Sequence, residues 1–245
     1  MLSASMSLKD INGIILVDKP SGITSFGVVS KIRETLKVKR VGHGGTLDPL
    51  ATGVLPILVG NATKSASKFL DGEKAYVGEM VVGIVTDTDD SEGKILSSVR
   101  ADAKDVFDRV KGIAGSFIGK IKQIPPMVSA RHHKGQRLYD LARQGITVER
   151  EPREVTIHEL RLLDFESADN PRIKFYCRCS KGTYIRALVH DIGDMLGTGA
   201  HLSMLRRVLS GPFSIEQALP LDEVLRLICD GQTDKILLRT QDING

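Results

Sequence analysis

The stretch Gly42-His43-Gly44-Gly45-Thr46-Leu47-Asp48-Pro49-Leu50-Ala51-Thr52-Gly53 gathers several groups suited to chemistry in one short segment. Its four glycines let a backbone turn tightly and approach a ligand closely. Asp48 precedes a proline, which restricts it to extended backbone. An aspartate held on such a loop is a candidate nucleophile or general base. Asp-Pro pairs also cap turns, and residue type alone favours that role. The loop lacks the G-x-x-x-x-G-K-[ST] pattern, and no G-x-G-x-x-G stands between a strand and a helix, so a nucleotide phosphate cradle has little support.

A second cluster, Ser180-Lys181-Gly182-Thr183-Tyr184-Ile185-Arg186, lies at a strand-to-helix junction. Tyr184 and Arg186 project from the first helical turn there. Arg186 is suited to pair with a carboxylate from another loop or to hold a local surface salt bridge. Metal chemistry is weakly supported. His132 and His133 are adjacent and diverge on any regular element, and no H-x-x-x-H spacing or carboxylate cluster occurs. Asp87–Gly93 resembles a calcium loop only superficially. Glu92 stands where glycine is needed and Ser98 where a bidentate Glu is needed, so a solvated hairpin tip is expected.

The elements that position these residues follow from periodicity. Ile11–Val17 reads as a strand running into the Asp18-Lys19-Pro20-Ser21-Gly22 loop. Thr24 or Ser25 caps a helix that buries Phe26, Val28, Val29, Ile32 and Leu36. Val41–Gly53 is irregular, Val54–Val59 is a strand and Ala62–Leu70 is helical. Lys74–Thr86 alternates as one long strand, and Asp102–Ile113 is an amphipathic helix with Val106, Phe107, Val110 and Ile113 inward. Val155–Phe165 and Arg172–Ser180 are strands. A helix over Thr183–Leu196 is capped near Thr183 and stopped by Gly197, His201–Leu209 is a strand, and Leu221–Cys229 is a short helix. Several neighbouring strands are joined by turns too short for a helical crossover. The expected fold class is therefore α+β, a mixed, largely antiparallel sheet flanked by helices.

The chain has 245 residues, 41% hydrophobic and 26% charged, with a net charge of +4, as for an ordinary globular protein with a mild cationic excess. Residues 122–153 carry seven basic residues against three acidic ones and read as a basic surface insertion. No apolar run approaches the ~18 residues of a membrane-spanning helix, and the first residues do not read as a secretory signal. Three cysteines, two of them the C-x-C pair Cys177 and Cys179, make a poor disulfide framework. If residues 176–180 form a strand, that pair shares one face as small core hydrophobes. A cytoplasmic location is expected.

Seven motifs then occur in one order: Asp18–Ser25, the Gly42–Gly53 loop, Lys74-Ala75-Tyr76, Pro125-Pro126-x-x-Ser129-Ala130, Arg137-Leu138-Tyr139-x-Leu141-Ala142-Arg143-x-Gly145, Lys181–Arg186 and Leu205-Arg206-Arg207. With them the chain resembles the bacterial TruB family of tRNA pseudouridine synthases over about residues 11–215. The resemblance implies isomerisation of uridine-55 in the T loop of tRNA, with no cofactor, nucleotide or metal. It implies that Asp48 is the nucleophile or base and that Arg186 is its partner. Tyr76 would stack on the uracil, and Tyr184 and Leu205 would line the base pocket. Because a base within a folded loop must be flipped out at a cost of a few kcal/mol, His43 would fill the gap it leaves. Lys19, Arg40, Lys64 and the basic insertion would contact phosphates.

Residues 1–220 are expected to form the catalytic domain. Residues 221–245 would form a short helical tail that does not amount to a complete PUA module. The partner would be the tRNA T stem-loop, and the protein a monomer. An RNA-folding factor without required catalysis, and a synthase for another RNA, are the competing readings.

Overall fold

A computed structural model describes residues 11–65, 71–101, 103–127, 132–133, 136–137, 146 and 148–239. In chain order the elements are β1 (Gly13–Lys19), α1 (Ser25–Leu36), β2 (Val41–His43), β3 (Thr52–Val59), β4 (Lys74–Val82), β5 (Ile84–Thr86), β6 (Ile95–Ser98), α2 (Ala103–Ala114), β7 (Gly119–Gln123), β8 (His132–His133), β9 (Gln136–Arg137), β10 (Arg153–Glu166), β11 (Arg172–Cys179), α3 (Ile185–Leu196), β12 (Ala200–Ser210), β13 (Phe213–Ser214), β14 (Leu219–Pro220) and α4 (Leu221–Cys229). The chain forms two units, Met1–Lys74 with Arg206–Gly245, and Ala75–Leu205. The architecture is α+β with a mixed, largely antiparallel sheet, as expected.

In the first unit β1 runs antiparallel to β3 from Gly13↔Val59 to Lys19↔Gly53. β2 pairs antiparallel with the far end of β3, and Arg206 and Arg207 of β12 pair parallel with Thr52 and Gly53. β14 lies parallel to β1, and Ile14 and Leu238 exchange two backbone hydrogen bonds of 2.8 Å. Ile14, Leu16, Val54, Leu58, Ala62 and Phe213 form the core between these strands. Gly53 has φ +106, and a Cβ there would collide with the Arg207 backbone, so only glycine admits the β12 strand so close. Residues 60–65 form a 3-10 turn instead of the start of a helix, and 66–70 lie outside the described residues.

Thr24 caps α1 by accepting from the Gly27 N–H at 2.9 Å. The helix buries Ser25, Val28, Val29, Ile32 and Leu36. Phe26, expected on that face, is 63% exposed, because a position one residue after Ser25 is turned about 100° away from the buried stripe. Arg33 lies 5.9 Å from its ring.

In the second unit β10 pairs antiparallel with both β11 and β7, and β4 neighbours β11. The expected single strand 74–86 is two strands. Gly83, at φ +91, breaks it, and β5 turns away to pair with β6. Ile173, Phe175, Cys177 and Cys179 alternate along the buried face of β11, so the two cysteines are core residues. α2 buries Val106 and Val110 and packs against α3 and β10. Among the described residues no helix is long and apolar enough to cross a membrane. Residues 128–131, 134–135, 138–145 and 147 of the basic insertion lie outside the described residues. Within it β8 and β9 pair antiparallel, His132 with Arg137 and His133 with Gln136.

Candidate active site

Asp48 is half-buried on the loop between β2 and β3, in the first unit. The backbone of this loop is held from three directions. Lys19, at the end of β1, is fully buried, and its ammonium donates to the carbonyls of Pro20 (2.9 Å), Ile23 (2.6 Å) and Pro49 (3.2 Å). A buried ammonium needs such acceptors to replace its lost water. The expected role of Lys19 as a phosphate contact does not fit this burial. Its charge is taken up inside the fold, tying the Lys-Pro-Ser-Gly turn to the residue after Asp48.

Ser25, in the first turn of α1, makes a reciprocal clamp on Leu47, the residue before Asp48. Its hydroxyl donates to the Leu47 carbonyl (3.0 Å) and accepts from the Leu47 N–H (2.8 Å). Ser21 donates to the Leu50 carbonyl, and the Gly22 N–H donates to Pro49 O. From the third side Arg207, 1% exposed, donates to the carbonyls of Val54 (2.9 Å), Gly45 (3.2 Å) and Thr46 (3.4 Å). The loop closes on itself through Ala51 N–H to Asp48 O at 3.1 Å, the turn that Asp-Pro predisposes. Asp48 thus closes a turn through its backbone carbonyl, on a loop that many groups hold in place.

His43 ends β2 in the same unit, opposite Ile57. Burial, then the nearby Arg207 cation, holds its imidazole below the ordinary histidine value, so the ring is neutral near pH 7. Its Nδ1 is buried and has no hydrogen-bond partner among the described residues. Arg40 and Lys64 are exposed on this unit, in keeping with contacts to a polyanion. Arg206 forms a bidentate pair with Asp18 (3.1 and 2.7 Å), joining β12 to the end of β1.

The second unit carries Tyr76, Tyr184, Arg186 and Leu205. Tyr76 on β4 is 8% exposed and Leu205 on β12 is 6% exposed. α3 begins at Ile185, two residues later than expected, and Tyr184 is its N-cap residue without a side-chain cap. Arg186 is 3% exposed. It donates through Nη1 to Thr88 O (2.9 Å), and its Nε lies 3.7 Å from Asp90 Oδ2.

The 87–93 turn therefore is not the solvated tip expected. Asp90 is 4% exposed, and its Oδ1 accepts from the Thr88 hydroxyl (2.6 Å) and the Glu92 N–H (3.0 Å). Ser91 N–H and Leu202 N–H bind this turn to β12. Asp90 is a residue that sequence reasoning missed. A cue was present in the run Asp87-Thr88-Asp89-Asp90, where side chains can turn back onto their own backbone. Asp89 beside it, at φ +60, accepts from His190 Nδ1 at 2.9 Å, and His190 Nε2 lies 3.3 Å from Asp194. Among the described residues no group of three or more His, Cys, Asp or Glu is placed to hold a metal ion.

Comparisons with known proteins identify the family. Residues 33–185 match the TruB family pseudouridylate synthase N-terminal domain, and residues 186–241 match the tRNA pseudouridylate synthase B C-terminal domain. The chain is 47% identical to the tRNA pseudouridine synthase B of Saccharophagus degradans, covering 88% of this chain and 69% of that protein. It is 46% identical to that of Syntrophotalea carbinolica, over 93% and 73%. Among solved structures it is similar to one described as a Cbf5-Nop10-Gar1 complex, with a TM-score of 0.71 and 30% identity. That match covers 94% of this chain and 61% of the other. With the two family models together matching residues 33–241 and relatives at 46–47% identity over most of the chain, the chain belongs to the TruB family of pseudouridylate synthases.

Proposed function

We propose that this chain isomerises uridine-55 in the T loop of tRNA to pseudouridine. The observation that supports the reading most directly is the immobilised loop around Asp48, in a chain whose relatives are named tRNA pseudouridine synthase B. The reaction breaks the bond from uracil N1 to ribose C1′ and joins C1′ to C5. The C5 hydrogen is lost to water and N1 gains a proton, so electrons balance without a redox partner or cofactor. Asp48 acts as nucleophile or base on the flipped-out nucleotide, at C1′, at C6 or at the C2′ proton. A rigid backbone aims its carboxylate, which is where positioning lowers the barrier.

Arg186 supplies the cation for the same chemistry. Tyr76 stacks on the uracil and its hydroxyl serves proton exchange. Tyr184 and Leu205 line the base pocket, and the neutral ring of His43 stacks in the gap left by the flipped base. Arg40 and Lys64 contact phosphates, whereas Lys19 serves by holding the loop. Residues 1–220 act as the catalytic domain and 221–245 as a helical tail, in a protein that works as a cytoplasmic monomer.

The test uses an unmodified tRNA transcript tritiated at uridine C5. The wild type releases one equivalent of tritium to water from the T loop, and D48N releases none. Salt-sensitive tRNA binding without release would overturn the catalytic reading in favour of an RNA-folding factor. Release from another site would move the substrate assignment.

A further inference from the structure

The N-terminus of α3 has a buried support that no side chain of its own supplies. Tyr184, the cap residue, makes no side-chain cap bond. Gln123, at the end of β7 and 1% exposed, fills that role from 61 residues away. Its Oε1 accepts from the Tyr184 N–H at 3.0 Å, and its Nε2 donates to the Tyr184 carbonyl at 3.1 Å. The same carbonyl accepts the first helical bond, from Leu188 N–H. Both polar groups of one peptide residue are thus satisfied by a single amide. This fixes its backbone in position and in rotation, which one hydrogen bond would not do.

The turn before it is tied equally well. Ser180 exchanges bonds with Thr156 of β10 through its N–H (2.8 Å to Thr156 O) and its hydroxyl (2.9 Å from Thr156 N–H). Thr183 donates to Ser180 O at 2.9 Å. β7 and β10 are paired strands, so the Gln123 side chain and the Thr156 backbone belong to one sheet that holds residues 180–184 at two points.

We infer that Gln123 is a positioning residue for pseudouridine formation, acting through Tyr184. The clasp sets the direction in which the half-buried Tyr184 ring leaves the backbone, and Arg186 follows two residues later. This rests on the reading of Tyr184 as a lining residue of the base pocket. A displacement of about 1 Å at such a residue costs roughly 10- to 100-fold in turnover.

Single-turnover tritium release and RNA binding are measured for Q123M, which keeps length and loses both bonds, and for the isosteric Q123E. The expected result is a fall in the chemical rate of roughly 10-fold or more with RNA affinity within twofold. The Q123E carboxyl, once protonated, can donate to one group and accept from the other. The ratio of Q123E to wild-type rate therefore rises as pH falls. In a Y184L background Q123M has less than about a twofold further effect, because the side chain it positions is gone. A wild-type rate for Q123M, additive losses with Y184L, or failure of both Gln123 variants to fold at any pH would overturn the inference. A wild type that releases no tritium would instead overturn the proposed function, leaving the two failures distinct.

Discussion

The loop that carries Asp48 is held by cations and hydroxyls that end on backbone atoms, whereas Arg186 is gripped at its own guanidinium by Thr88 and an acid, Asp90. In the first unit Lys19 and Arg207 bond six carbonyls between them, so the support acts on the path of the chain. In the second unit the support acts on the charged group itself, within a pair whose side chains are 3% and 6% exposed. The difference teaches where each is vulnerable. The role proposed for Asp48 needs a defined direction and access to substrate, and a stapled backbone with Asp48 half-buried suits both. A buried guanidinium cannot remain without compensating charge and acceptors, because its desolvation is costly.

The largest effect separates the two supports from the chemistry. D48N is expected to lower tritium release at least ~1,000-fold while RNA affinity and melting temperature stay near wild type. A variant retaining a tenth of the activity would remove Asp48 from the centre of the site. Next, D90A should destabilise the second unit by about 3–5 kcal/mol in chemical denaturation, since it leaves a buried cation without its acid. A loss below about 1 kcal/mol would mean that other groups carry Arg186. R186K, which cannot keep the planar fork, should lower turnover far more than RNA binding.

S25A sharpens the other side of the comparison. Losing both bonds to Leu47 should cost about 1–3 kcal/mol and reduce the chemical rate more than RNA affinity. Equal falls in both would show a general packing role.

The smallest effect is a pH dependence beside the Asp90 turn. Asp89, with Asp194 and Asp191, raises the His190 pKa to about 9 despite partial burial. An unfolded histidine titrates near ~6.5, so the folded state binds the proton more tightly. That stabilisation is complete below pH ~6.5 and is lost as pH rises through about 9. Asp191, raised to about 6 mainly by burial, titrates below most of this window and destabilises as pH rises toward 6. The melting temperature should therefore fall between pH 6.5 and 9, and H190Q should flatten that fall. An unchanged slope in H190Q would place the titration elsewhere.

Much of the frame was legible from neighbours in sequence. The cap at Thr24, the stop at Gly197, the span of α4 and the alternation that buries Cys177 and Cys179 all depend on residues within a turn or a strand of one another. The Asp48 loop stood out because glycine, proline and aspartate carry their backbone preferences with them. Phe26 and the break at Gly83 were misread for a related reason. A hydrophobic residue near a stripe looks like part of it, and alternation continues across a glycine whose positive φ appears only in the fold.

The supports themselves leave no local trace. Ser25 meets Leu47 across 22 residues, Gln123 meets Tyr184 across 61, Arg186 meets Thr88 across 98 and Arg207 meets Gly45 across 162. The sequence determined which residue types are available for chemistry and the elements that bear them, because residue type and short-range periodicity act locally. Tertiary structure decided which charges are buried and what satisfies them. Burial strips water from a polar group and leaves its partner to be supplied by whatever the fold packs beside it.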